Sequence, residues 1–154
     1  MRPCLKKHSP ALNWHKEAIM ANDLYNNIKV TTVIKAHSPA ATGVISGVVI
    51  DTAGYRSTTF VVSSGLQTTT GVTVTPIVKS GTATGSLASA AANDLLGTEA
   101  AAALDGTAGA SSSSKVGYRG INQYVTCDLL VAAAATGTYN VTCVQSSAIK
   151  GPVS

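Results

Sequence analysis

Past Met20 the chain has no Trp, one His (His37), one Phe (Phe60) and only isolated charges; Asp, Glu, Lys and Arg together make up 12% of its 154 residues, about half the usual share. An enzyme needs functional side chains gathered somewhere, and no local cluster of them is visible. There is no G-x-x-x-x-G-K-[ST] phosphate loop and no G-x-S-x-G nucleophile elbow. The carboxylates stand apart, so a paired acid/base site has no local signature. His37 sits before Ser38-Pro39 in an ordinary turn. We expect no catalytic, cofactor-binding or metal-binding residues and no enzymatic activity. Apolar runs fall short of the roughly 18 residues of a membrane span, so no membrane partner is expected.

Basic residues are also scarce outside one short stretch. The formal net charge is +4. Arg2, Lys6, Lys7 and Lys16 all precede Met20 and are opposed there only by Glu17. From residue 20 onward the net charge is +1. The body has no basic stripe, so the electrostatic footprint for direct nucleic-acid binding is missing. Tyr118, Arg119 and Tyr124 could make a base-stacking platform; with so little positive charge, packing at a strand edge is the expected role.

Residues 1–19 differ in composition from the rest of the chain. They hold Trp14, two of the three His and Cys4. They lack the apolar core and cleavage site of a signal peptide. Lys16-Glu17 is encodable as AAG-GAG, a ribosome-binding sequence, a short spacer ahead of Met20. Translation is therefore expected to begin at Met20, with 1–19 a misassigned leader. The competing reading is a basic arm that orders on a partner. Cys4, His8 and His15 fit no zinc spacing and lack a fourth ligand.

What is present is Val, Ile and Thr in short runs broken by Gly, Ser and Ala. Residues 28–36 read as a strand that ends before Pro39. Residues 43–50 (GVISGVVI) are apolar at alternate and intervening positions, which predicts an interior strand covered on both sides. Asp51-Thr-Ala-Gly54 is turn chemistry. Residues 55–63 and 71–79 are further strands, Pro76 marking the latter as an edge or a bulge. Residues 86–114 predict a long loop or a short helix, with Ser86 or Thr98 as caps and Gly97 and Gly106 as stops. Residues 107–114 read as a flexible loop.

Residues 122–131 and 138–146 predict an antiparallel hairpin centred near residue 135. Val131 then faces Tyr139, Leu129 faces Val141, Cys127 faces Cys143 and Val125 faces Gln145. Val125, Cys127, Leu129, Val131, Tyr139, Val141 and Cys143 form the core face, while Thr126, Asp128, Asn140 and Thr142 form the solvent face. The cysteines read as two small buried hydrophobes or as a disulfide, the latter disfavoured in a reducing cytosol. Asn140-Val141-Thr142 matches a glycosylation sequon but falls inside a strand.

The expected architecture is all-β: an antiparallel β-sandwich, jelly-roll or Greek-key in type. The expected organisation is a 1–19 extension, an N-terminal arm or first strand at 20–40, and a sandwich body at 41–154. The segment from Asp23 to Pro39 is the candidate arm.

Three stretches, Asp51-Thr-Ala-Gly-Tyr-Arg-Ser-Thr-Thr-Phe-Val-Val-Ser-Ser-Gly65, Asp94-Leu-Leu-Gly-Thr-Glu99 and Lys115-Val-Gly-Tyr-Arg-Gly-Ile-Asn-Gln-Tyr-Val125, resemble small virion proteins encoded beside the major capsid gene in tailed bacteriophages. The resemblance spans about residues 21–146. Family members often carry more basic residues after the second Gly-Tyr segment, where this chain has Asn122-Gln123 and Thr126. The resemblance implies a head decoration or cement protein: a β-sandwich or jelly-roll, often a homodimer, on the outside of a capsid built from an HK97-like major capsid protein and assembled in the bacterial host cytoplasm. A tail or head–tail connector component is the alternative within the virion. A carbohydrate-binding sandwich module is weaker, since the body offers few aromatics.

Overall fold

The computed structural model describes residues 24–39, 41–106, 109–133 and 137–148. One helical turn, α1 (Leu24–Asn27), leads into β1 (Ile28–His37). Then come β2 (Gly43–Ile45), β3 (Ile50–Asp51), β4 (Tyr55–Ser64), β5 (Thr73–Ala83) and β6 (Ser86–Ser89). A 3-10 turn at Ala92–Asp94 precedes β7 (Leu95–Leu96) and β8 (Leu104–Asp105). The chain continues through β9 (Ser113–Tyr118), β10 (Tyr124–Val131) and β11 (Tyr139–Ala148).

These strands make an all-β sandwich of two antiparallel sheets. The first has the order β1-β11-β4-β9-β7, and the second β2-β10-β5-β6, with β3 beside β10 and β8 beside β5. The β-branched alternation noted in the sequence produces this arrangement. Along β4, Thr58, Phe60, Val62 and Ser64 are buried, while the residues between them are half-buried on the opposite face. Val116 of β9, and Val141 and Cys143 of β11, extend that inner face. Val74 and Val78 of β5, with Val125, Cys127, Leu129 and Val131 of β10, supply the facing layer. Burying each such side chain contributes about 1.5–3 kcal/mol.

The core residues expected from the C-terminal strands are all buried, but their pairing is not a hairpin. The ladder partners of β10 are β5, β2 and β3. Those of β11 are β1 and β4. The connection between them crosses from one sheet to the other: Ala132 donates to Thr73 O on β5, and Thr138 O accepts from Gly65 just after β4. Period-2 alternation marks which residues point into a core. It does not say whether the partner lies along the ladder or across the core, because both arrangements present the same side chains.

Residues 43–50 are likewise not one interior strand. β2 and β3 are edge pieces on β10, and residues 46–49 between them leave the ladder and reach both Val33 of β1 and the Thr126 and Asp128 side chains of β10. Val44 and Val48 are exposed. Gly47 makes this crossing possible: a Cβ there would fall 2.6 Å from Val33 Cγ1 and closer still to Cys127 O.

The crossing segment also corrects the placing of Asp128 and Thr126 on a solvent face. Both are buried. Asp128 Oδ1 accepts the Gly47 N–H at 2.9 Å and its Oδ2 lies 2.7 Å from Lys79 Nζ. Thr126 Oγ1 donates to Val48 O.

Residues 86–114 hold the short strands β6, β7 and β8, with one short 3-10 helix at Ala92–Asp94 among them. Thr98 does cap one turn, its Oγ1 accepting the Ala101 N–H at 3.0 Å. Ser113 and Ser114 begin β9, and residues 107–108 lie outside the described residues.

Pro76 resolves into a local edge. β5 runs between β10 and β6, but between the short ladders to β8 and β6 its free side meets no strand among the described residues. There the Val78 N–H is taken by Glu99 Oε1 at 2.7 Å. Pro76, two residues earlier, turns its nitrogen to that same side, so no ladder bond is missed.

Residues 28–37 of the expected arm are β1, paired with β11 along its length with two register shifts.

Candidate functional site

The chemically capable side chains singled out in the sequence are not brought together. His37 is exposed at the end of β1. Tyr118 is buried, and its hydroxyl accepts the Asn122 N–H at 3.1 Å. It is a core residue and cannot offer a ring face to a base. Arg119 donates its Nε hydrogen to Asn93 O at 2.9 Å, and Tyr124 is half-buried beside Asp51 and Gly81 on the ladder. Asn140 lies within β11, flanked by ladders on both sides. Cys4, His8 and His15 lie outside the described residues.

Cys127 and Cys143 are both free and buried, on facing sheets. Burial pushes the Cys143 thiol up to about 12. It pushes Cys127 higher, with the carboxylates of Asp128 and Glu99 adding repulsion. Such thiols stay protonated and are inert as nucleophiles. No group of three His, Cys, Asp or Glu that could hold a metal ion exists among the described residues. No helix among them is long and apolar enough to cross a membrane.

What the fold does build is a face. The side of the β1-β11-β4-β9-β7 sheet turned away from the core is not covered by any other described strand. The ladder register sets Val30, Val144, Thr59, Gly117 and Leu96 in one row across all five strands. Beside it runs a second row, Thr32, Thr142, Val61 and Lys115. Lys115 is the only charge in the two rows. Val30 and Leu96 at the ends are 58% and 53% exposed, Val144 and Thr59 between them are half-buried, and Gly117 is buried. Gly117 keeps the row level: a Cβ there would press on Leu96 at 3.0 Å.

The alternation in residues 28–36, 55–63 and 138–146 carried the signal for this face. The strand order that aligns the rows had no local signal, because β1, β4, β9 and β11 come from distant parts of the chain.

No protein-family model, no curated protein and no solved structure matches this chain.

Proposed function

We propose that the chain is a structural protein of a tailed-phage virion. It binds the outer surface of the head and stabilises the lattice of an HK97-like major capsid protein, acting there as a homodimeric cement protein. The Thr/Val-rich face across five strands, with Lys115 the only charge in its two rows, is the observation that carries this reading. A flat face of this kind docks by shape, apolar contact and hydroxyl hydrogen bonding, without needing a charged substrate pocket.

The resemblance gains a spatial meaning here. Its three stretches contain β4, β7 and most of β9, and these strands are neighbours in the order β4-β9-β7. The segments that look like virion proteins thus form one continuous half of the docking face. Internal pressure from packaged DNA pushes a shell outward. Anything that binds the assembled lattice and not its separated subunits stabilises it by mass action. Weak individual contacts suffice when many copies act on a repeating lattice.

The test is addition of the purified protein to heads that lack it, followed by electron microscopy and copy counting. Many copies at repeated positions outside the shell, with heads surviving hotter or more dilute conditions, are expected. A handful of copies confined to the tail or its junction, or no binding, overturns the reading.

A further inference from the structure

The second sheet also has an outward side, and its charges are held differently from those of the first. Along β10 the buried Cys127, Leu129 and Val131 alternate with Asp128 and Leu130, so these last two stand on the side away from the core. The ladder sets Val44 of β2 and Thr75 of β5 on either side of Leu130, and Ile77 of β5 opposite Asp128.

Val44 and Leu130 are cross-strand neighbours, 53% and 40% exposed. Val48 is also exposed, in the segment between β2 and β3, with its carbonyl held by Thr126 Oγ1 at 3.1 Å. Three of the nine large apolar side chains exposed among the described residues therefore lie along one margin of this sheet, where scattered single ones would be unremarkable. Residues 43–50 are apolar at both alternating sets, a pattern that calls for cover on both sides. The fold covers one side only.

The charges of this face compensate each other. Lys79 Nζ lies 2.7 Å from Asp128 Oδ2, and Asp128 Oδ1 takes the Gly47 N–H at 2.9 Å. Asp105 of β8 accepts from Thr73 Oγ1 and sits across β5 from the apolar margin. On the first sheet, by contrast, Lys115 has no carboxylate partner among the described residues.

This difference sorts the two faces by partner. A two-fold contact sets a face against a rotated copy of itself. The first face would bring Lys115 into such a contact twice with no carboxylate to meet it, at a desolvation cost. The second face brings a lysine and an aspartate already paired, and the same pair on the other copy lies antiparallel to it. Its apolar margin then meets an apolar margin, with the paired charges at the rim.

We infer that two copies of this chain pair through the β2-β10-β5 face, around Val44 and Leu130. The inference deepens the homodimeric part of the proposed function. It leaves the face of the first sheet, on the opposite side of the sandwich, free for the capsid lattice.

Sedimentation equilibrium of the purified chain over a concentration series tests it. The wild type is expected to dimerise. Leu130→Glu and Val44→Glu are each expected to weaken the dimer by about a hundredfold or more, because a symmetric interface carries each change twice. Circular dichroism checks that each variant folds, and the two changes lie on different strands, so failure of one leaves the other as readout. Thr59→Lys, on the first sheet, is expected to leave the dimer intact. A wild type that is monomeric throughout, a dimer indifferent to both glutamates, or one broken by Thr59→Lys alone overturns the inference. A monomer that still binds heads defeats this pairing and leaves the capsid role standing. A dimer of this kind that binds no heads does the reverse.

Discussion

Gln145 of β11 donates its Nε2 hydrogen to the carbonyl oxygen of Asp51 on β3, 2.8 Å away. The two residues belong to opposite sheets, so this bond ties the sandwich across its core. Gln145 is 1% exposed, among the most deeply buried polar side chains described. Gln145→Leu keeps much of the volume and removes the donor, and is expected to cost about 1–3 kcal/mol. A urea titration checks this through a lower midpoint at unchanged slope.

The alternate spacing of Tyr139, Val141 and Cys143 marked the core face of β11, but Gln145, which continues that spacing, was not among the expected core residues; the structure buries it. Local spacing did not show what Gln145 touches, since its partner lies 94 residues away. The same division holds elsewhere. The inward set of β10 and β11 was legible from alternation, whereas the assignment of those strands to different sheets was not. Asp128 read as solvent-facing because the pattern of one strand cannot reveal a segment laid over it. Pro76 was legible as an interrupted edge because a missing N–H is a local fact. On the candidate face, the Thr/Val composition was legible, while the rows depend on the register of distant strands.

Asp128 is held by Gly47 and Lys79 together. Asp128→Ala leaves the Gly47 N–H without its partner beneath the crossing segment, at an expected cost of about 1–3 kcal/mol. Asp128→Asn keeps an acceptor for Gly47 and loses only the ion pair. Because Lys79 is one-third exposed, that loss is expected to be smaller, nearer the exposed-pair range of about 1 kcal/mol or less. Chemical denaturation of the two variants side by side gives the order.

Gly47→Ala tests the crossing itself. The added methyl has no room against Val33 and the Cys127 carbonyl. Overpacking of this kind costs about 1–3 kcal/mol. Local hydrogen exchange is expected to rise at Val48 and Gly47, whose N–H groups bond Val33 O and Asp128.

The two buried thiols set a pH dependence with a definite sign. Their ordinary value is near 9, and burial raises Cys143 to about 12 and Cys127 further. Between about pH 9 and 12 the unfolded chain has released these protons while the folded chain keeps them. Stability therefore falls as pH rises through that window and is unaffected by these groups below it. Each thiol contributes a slope of about 1.4 kcal/mol per pH unit. The Tyr139 hydroxyl, also raised by burial, adds to the fall above its ordinary value near 10. Cys127→Ala/Cys143→Ala is expected to be less stable at neutral pH but to lose most of the slope between pH 9 and 10. In the folded wild-type chain, Cys127 and Cys143 are expected to react slowly with thiol-blocking reagents at pH 8 and fully on unfolding.

The proposed docking face is tested at its centre. Thr59 and Val144 are directly opposed on adjacent strands in the middle of the long row. Their side chains are half-buried and point away from the core, so Thr59→Lys and Val144→Glu are expected to fold with stability changes of about 0.5 kcal/mol. At a docked interface the same charges lose water with no partner, and central contacts dominate binding energy. A penalty of about 3 kcal/mol per site is roughly a hundredfold loss of affinity. Many copies on a lattice soften that loss for each particle, so the measurement compares purified variants over a concentration series on heads lacking the protein. Leu66→Glu serves as the control: Leu66 is 66% exposed and lies in the loop after β4, off this face. Loss of head binding in the two face variants, with the control unchanged, supports docking through the β1-β11-β4-β9-β7 sheet. Equal binding by all three places the contact elsewhere, because no capsid surface tolerates both a lysine and a glutamate at the centre of its footprint.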